Sequence, residues 1–315
     1  MPFSHHSHSG QFCGHATNTL EEVVQNAIKK GMTIFCMTEH IHRDRIDFYP
    51  NEEKSHTPKS LEQLYDDFYH EASRLRKAYA DQIQLFIGFE SEWIRDSSLG
   101  IIEGLLANYD LDLFVGSVHH VHTWPIDYDT PMYHEARKVA GGSDEQVFAD
   151  FFDAQYAMLQ VLKPPIVGHF DLIRLKSDKP DGSFRVWAEV WEKIMRNLKF
   201  VAGYGGVLEL NSSSLRKEMS ETYPQVEICK EFLSMGGHFT LSDDSHGIDQ
   251  VGLNYGKVLD CIKAAGINEI CHLAPAADGV KVNDSRFPNV GWKTVAVNDL
   301  EAHGFWKASN QSSSR

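Results

Sequence analysis

Histidines and carboxylates in this chain sit where short apolar runs stop. His6-Ser7-His8 follows the first such run, and Thr38-Glu39-His40 closes the second. Gly88-Phe89-Glu90 closes the third and Ser117-Val118-His119-His120 the fourth. The remaining three end in Gly168-His169-Phe170-Asp171, Glu209-Leu210-Asn211 and Ser242-Asp243-Asp244-Ser245-His246. Side chains two apart on a strand share a face, so His6 pairs with His8 and Asp244 with His246, while His5 and Asp243 point elsewhere. A lone histidine is more often a satisfied core or surface residue, but an HxH pair on a strand is a common way to hold an ion. Seven run ends of one chemical kind point to a shared metal centre.

The elements that must position these residues alternate. Thr19-Leu20-Glu21-Glu22 reads as a capping box opening a helix through Lys30, stopped by Gly31. Strand-like runs are expected at 32–37, 83–87, 111–118, 165–168, 207–210 and 238–241, with helices at 60–79, 99–108, 144–162, 184–200 and 225–235. A last helix, 257–265, precedes a weaker strand near 270–273. Strand-then-helix alternation implies parallel strands covered by helices. In a parallel barrel all strand C-termini meet on one rim, where active sites of that architecture are built. One barrel over residues 1–307 is expected, with 308–315 a disordered tail. The stretches 42–58 and 122–142 read as long polar loops of the kind that form lids. No glycine-rich phosphate loop follows the first strand.

Composition narrows the partners. The chain has 315 residues, 42% hydrophobic, with a formal net charge of −14. That charge argues against nucleic-acid binding and a polybasic membrane contact. No run approaches the roughly 20 apolar residues of a membrane span, and the N-terminus lacks signal-peptide features. Five cysteines without CxxC spacing suggest free thiols in a reducing cytosol, so a cytoplasmic protein is expected. Cys13 reads as a loop thiol. The 17 histidines are not a tag, because His5-His6-Ser7-His8 is interrupted and runs into core-like sequence.

The ordered set His6-x-His8, His15, Thr38-Glu39-His40, Gly88-Phe89-Glu90, Ser117-Val118-His119, Gly168-His169 and Asp244-Ser245-His246 resembles the polymerase-and-histidinol-phosphatase (PHP) superfamily. Ser117-Val118-His119-His120, the run from Gly168 to Arg174, and Leu208-Glu209-Leu210-Asn211 resemble its histidinol-phosphatase branch. The resemblance runs from about Phe3 to about His246. It implies a (β/α)7 TIM-like barrel with three divalent metal ions at the C-terminal rim. It also implies metal-dependent hydrolysis of L-histidinol phosphate in histidine biosynthesis. By this resemblance His6, His8 and Asp244 hold the first ion, and Glu90 bridges it to the second. His119 and His169 complete the second site; His15, His40 and His246 hold the third. Glu90, His119 and Asp244 are the implied catalytic set.

Seven imidazoles and two carboxylates suit zinc, iron or manganese. Three divalent ions against two carboxylates leave about +4, an anion site in an otherwise acidic protein. A water shared by two such ions is deprotonated near neutral pH and placed to attack phosphorus. Arg174 and Arg216 are candidate phosphate clamps, since a guanidinium fork matches phosphate geometry. His42, His120 and His122 lie near the rim, where a histidine could contact substrate or protonate the leaving alkoxide. Glu209 and Asn211 are candidate orienters of metal ligands. The rivals are another PHP-type hydrolase acting on a nucleotide or oligonucleotide end, and a catalytically silent metal-binding barrel.

Overall fold

A computed structural model describes residues 1–306; the expected tail at 308–315 lies outside the described residues. The chain runs β1 (Phe3–Ser4), α1 (Leu20–Lys29), β2 (Ile34–Met37), α2 (Pro58–Ala78), β3 (Gln84–Glu90), α3 (Ser98–Asn108) and β4 (Leu113–Gly116). A small ribbon of β5 (His120–Val121) and β6 (Trp124–Pro125) follows, then α4 (Thr130–Val139), α5 (Asp144–Leu162), β7 (Ile166–Val167), α6 (Ala188–Tyr204) and β8 (Val207–Asn211). Next come α7 (Ser213–Arg216), α8 (Val226–Ser234), β9 (His238–Ser242), α9 (Tyr255–Ala265), β10 (Glu269–Pro275), β11 (Val290–Ala296) and α10 (Val297–Ala302).

Local chemistry sets these boundaries. Thr19 accepts from the Glu22 amide while Glu22 caps the Thr19 amide, and Gly31 at φ +80° ends the turn after α1. Thr57 and Ser60 form the same reciprocal cap on α2, with Pro58 at its first position, so that helix starts two residues before the expected 60. The central strands read as unbroken apolar runs, as Ile34-Phe35-Cys36-Met37 does, because both faces are covered.

Seven strands form one parallel sheet in the order β1-β2-β3-β4-β7-β8-β9. The sheet comes round on itself. His5 N donates to Leu241 O (3.1 Å), Asp244 N to His6 O (3.1 Å) and His8 N to Ser245 O (2.7 Å), joining the first strand to the last. This is the expected (β/α)7 barrel. Gly168 lets β7 press against its neighbour, since a Cβ there would meet Ser117 Oγ at 2.4 Å. That close approach brings the ends of β4 and β7 together at the rim.

One sequence expectation needs correction, and another gains a partner. The stretch 122–142 is not an open loop: Asp129 caps α4 within it, and His122 and Thr123, both at positive φ, make the tight turn between β5 and β6. The weak strand near 270–273 is real but stands outside the barrel. It is β10, which pairs antiparallel with β11. This hairpin covers the first strand, where Leu273 N donates to His5 Nε2 (3.0 Å). His5 therefore serves the core and not the rim, and Asp243 likewise turns inward to Ser4 and the Gly252 amide.

Candidate metal centre and active site

All nine expected ligands converge at the C-terminal rim. His6 Nε2 and His8 Nε2 stand 3.1 Å apart, and the Glu90 Oε2 atom is 3.3 and 3.4 Å from them. Asp244 Oδ1 closes that group at 3.7 and 3.5 Å. The other Glu90 oxygen faces His119 Nε2 (3.2 Å) and His169 Nε2 (2.8 Å), whose ring nitrogens are 3.2 Å from each other. His246 Nε2 meets His15 Nε2 at 3.0 Å, and His40 Nδ1 lies 3.0 Å from Glu90 Oε2. Glu90 thus sits at the centre with one oxygen turned to each half.

These contacts fit metal binding better than hydrogen bonding. Several imidazole nitrogens crowded at about 3 Å around shared carboxylate oxygens, in greater number than one proton per pair could bridge, are arranged as ligands around a cation are. His40 Nδ1 faces Glu90, but its Nε2 is buried without a hydrogen-bond partner. Among the described residues, four overlapping groups bring donor atoms within 4.8 Å of one another: His6-His8-Glu90, His8-Asp244-His246, Glu90-His119-His169 and Cys13-His15-His40-His246. Mixed imidazole and carboxylate donors of this kind suit zinc, iron or manganese.

The far side of each ring is also tied down. Glu209, buried beneath the cluster, accepts from His6 Nδ1 at 3.0 Å, which fixes the tautomer and leaves Nε2 free to ligate. The other oxygen of Glu209 accepts from the His169 amide (2.6 Å) and from Asn211 Nδ2 (2.7 Å). Both were expected orienters. Glu39 and Glu92 were not: Glu39 Oε2 lies 3.4 Å from His8 Nδ1, and Glu92 Oε1 lies 3.3 Å from His119 Nδ1. His246 Nδ1 donates to the Asp244 carbonyl at 2.9 Å. Asp244 itself adopts φ +47°, a left-handed conformation uncommon outside glycine, which lets one short turn present both Asp244 and His246.

Electrostatics divides the imidazoles. Burial disfavours charge on His6, but Glu90, Glu209 and Asp244 outweigh it and hold its pKa well above the ordinary value. His8 is likewise raised, to about 10, by Asp244, Glu39 and Glu90 against burial. Burial and the neighbouring His8 cation push His40 down to about 3 and His246 well below its ordinary value. Glu90 stays ionised despite burial because His6, His119 and His40 surround it. The cluster without metal is therefore partly protonated, and metal must displace those protons.

A cavity of about 640 Å³ opens above the cluster. Of the five expected substrate contacts, Arg216 and His42 line it and three do not. Arg174 is the clearest correction. It is buried, donating to Asp171 Oδ2 (3.1 Å), the Thr222 carbonyl (2.8 Å) and the Glu221 carbonyl (3.1 Å). Its anion is the protein itself, because the 3₁₀ turn Leu172–Lys176 directs the guanidinium inward. His120 is buried against Glu92 and the Tyr49 ring, and His122 pairs with Asp150 at the surface (2.6 Å). Sequence reasoning missed Lys217, Asp127, Glu52 and Tyr128, which line the cavity with Arg216.

Comparison with known proteins agrees with this geometry. The family described as the PHP domain matches residues 4–213. The protein of Schizosaccharomyces pombe named "Probable histidinol-phosphatase" is 42% identical over 95% of this chain and 99% of its own length. The histidinol-phosphatase of Saccharomyces cerevisiae is 34% identical, covering 86% of this chain and 91% of that protein. The structure of histidinol phosphate phosphatase from Lactococcus lactis, complexed with zinc, L-histidinol and phosphate, superposes with a TM-score of 0.66 at 20% identity. It covers 85% of this chain and 95% of that one.

Proposed function

The chain belongs to the PHP domain family, and from that premise we propose that it is a metal-dependent histidinol-phosphatase. It would hydrolyse L-histidinol phosphate to L-histidinol and phosphate in histidine biosynthesis. The observation that carries the reading is the nine-residue donor cluster at the floor of a cavity whose wall bears both signs of charge. The curated relatives of the same name, similar over most of their length, support the substrate.

Three divalent ions, zinc, iron or manganese, account for the donors. His6, His8 and Asp244 would hold one, His119 and His169 the second, with Glu90 between them, and His15, His40 and His246 the third. Bound there, the ions would activate water at neutral pH and offset charge on the phosphoryl oxygens. The chain's own residues do the rest. Glu209, Glu39 and Glu92 keep the rings in the ligating tautomer. Arg216, at the end of α7, holds the phosphate with its unpaired guanidinium N–H groups, and Lys217 adds a second cation nearby. His42, which lines the cavity with a buried Nδ1 that has no hydrogen-bond partner, would protonate the leaving alkoxide. Asp127, which lines the same cavity, suits the cationic amine of histidinol, whereas Glu52 there is already paired with Arg43 (2.5 Å). A cavity of about 640 Å³ falls in the roughly 300–1,000 Å³ range of small-molecule sites.

A cytoplasmic setting fits the five free, buried cysteines. Among the described residues no helix is long and apolar enough to cross a membrane. The test is phosphate release by metal-analysed protein from histidinol phosphate against nucleoside monophosphates and oligonucleotides. Turnover of histidinol phosphate at least about tenfold above the nucleotides supports the assignment; a nucleotide preference overturns it.

A further inference from the structure

Cys13 occupies a place that a loop thiol does not require. The segment between β1 and α1 folds back over the rim and is pinned at both ends. Gly10 N donates to Thr17 O (3.1 Å), and Thr17 N donates to His246 O (2.8 Å). A Cβ at Gly10 would meet Thr17 Cα at 2.7 Å, so glycine alone permits so tight a closure. Within the segment, Cys13 N bonds Ser9 O (2.9 Å) and Ala16 N bonds Cys13 O (3.1 Å). This turn buries the Cys13 side chain and directs its sulfur at the cluster, 3.4 Å from either ring nitrogen of the cavity-facing His15.

We propose that the Cys13 thiolate is a ligand of the ion held by His15, His40 and His246, giving that site three nitrogens and one sulfur. Sγ and the donor nitrogens of these three histidines lie within 4.8 Å of one another. Around a tetrahedral ion with sulfur at about 2.3 Å and nitrogen at about 2.05 Å, donor separations are about 3.6 Å for S···N and about 3.3 Å for N···N. The observed spacings of 3.4 Å from Cys13 to His15 and 3.0 Å from His15 to His246 are close to these. The buried His40 Nε2, which has no hydrogen-bond partner, supplies an independent sign that an ion belongs there. None of the other four cysteines joins a donor group among the described residues. On binding, the Cys13 S–H bond gives its proton to solvent as the sulfur–metal bond forms, with no change of oxidation state. A soft thiolate donor favours zinc over manganese at this site.

The inference rests on the metal-dependent reading, and cobalt separates the two. The full chain is loaded with Co²⁺, bound cobalt is counted by elemental analysis, and the near-ultraviolet spectrum is recorded without substrate. A thiolate-to-cobalt charge-transfer band is expected in the parent protein. It should vanish in Cys13→Ser, whose weakest bound ion should dissociate about tenfold or more readily. A fully loaded parent with no such band, or a band that survives in Cys13→Ser, overturns the assignment. Should Cys13→Ser not fold, X-ray absorption on the unaltered zinc-loaded protein decides the same point. A sulfur scatterer at about 2.3 Å is expected, and its absence refutes the ligand. A chain that binds no cobalt or zinc refutes the metal centre itself.

Discussion

Arg174 and Arg216 are both arginines near the rim, yet their lysine variants should fail in opposite ways. Arg174 is 1% exposed, bonded to Asp171 and to two or more carbonyls, with its guanidinium 4.9 Å from the Tyr223 ring centroid. Lysine cannot span these partners from one ammonium, so at least one buried carbonyl loses its donor, or Asp171 is left with the Gln225 amide alone. Breaking a buried pair of this kind costs about 3–5 kcal/mol, less whatever lysine recovers, so a stability loss of ~2–4 kcal/mol is expected. Arg216 has only two long contacts, to the carbonyls of Asp243 (3.5 Å) and Asp244 (3.3 Å), and its remaining N–H groups face the cavity. Losing a bidentate, charge-assisted contact to phosphate costs about 1.5–3 kcal/mol, hence roughly tenfold or more in kcat/KM. Urea denaturation and kcat/KM with histidinol phosphate, on both variants with matched metal content, decide it. Arg174→Lys should lose stability and keep most of its efficiency; Arg216→Lys should do the reverse. The reasoning is refuted if Arg216→Lys matches the parent while folded Arg174→Lys loses the activity.

Glu90→Gln keeps the shape of the side chain but removes the charge facing five imidazoles, so bound metal should fall and turnover should drop at least about 10³-fold, ~4 kcal/mol. Normal metal content with near-parent activity would contradict the central role of Glu90. Because His6 and His8 hold protons in the metal-free cluster, metal loading near neutral pH should release protons and metal affinity should rise with pH; calorimetry in buffers of different ionisation enthalpy reads this directly. His5 accepts from the Leu273 amide and is held down to about 3 by burial, so its protonation favours the unfolded chain, and the stability it contributes, full above about pH 6.5, is lost as pH falls. At pH 5.5 the loss is about 1.4 kcal/mol, and the parent's stability should drop more steeply over pH 6.5–5.5 than that of His5→Asn; parallel curves would rule this out.

The barrel could be read from the sequence because it follows from periodicity, as does the gathering of polar strand ends on one rim; the full candidate ligand set, His15 included, is what the family resemblance implies. Strand side chains alternate, parallel strands end on one rim, and a polar residue terminating an apolar run has few other places to go. Positions set by turns were harder to see. Arg174 stands five residues after His169, but sequence distance does not reveal that a 3₁₀ turn reverses its direction and that Asp171, three residues earlier, captures it. Glu39 sits between Thr38 and His40 at a strand end, yet only the barrel's curvature shows it standing behind His8. Glu92 follows Glu90 by two residues beyond the strand, and its service to His119 and Arg43 depends on where β4 ends. The β10–β11 hairpin was half visible, because its second strand begins after a run of turn residues and its apolar face packs outside the barrel, against β9 and His5.

The site is also where the chain departs most from the rules that stabilise folds, and the departures share one direction. Asp244 takes a backbone angle that favours glycine, seven histidines crowd within ring contact, and three carboxylates, Glu90, Glu209 and Asp244, are buried together. Each of these costs free energy in a metal-free protein: left-handed backbone outside glycine costs roughly 1–2 kcal/mol, and ionised groups out of water cost more. Divalent ions reverse the balance, since the same carboxylates and imidazoles become satisfied ligands. A barrel selected only for stability would have replaced them with apolar side chains, as it did along β2 and β7. Their convergence at a cavity lined by Arg216 and Asp127 is what recommends the cluster as the candidate functional centre. On the proposed reading, a chain of net charge −14 would accommodate a phosphate ester through the ions that these residues would hold at the cavity floor.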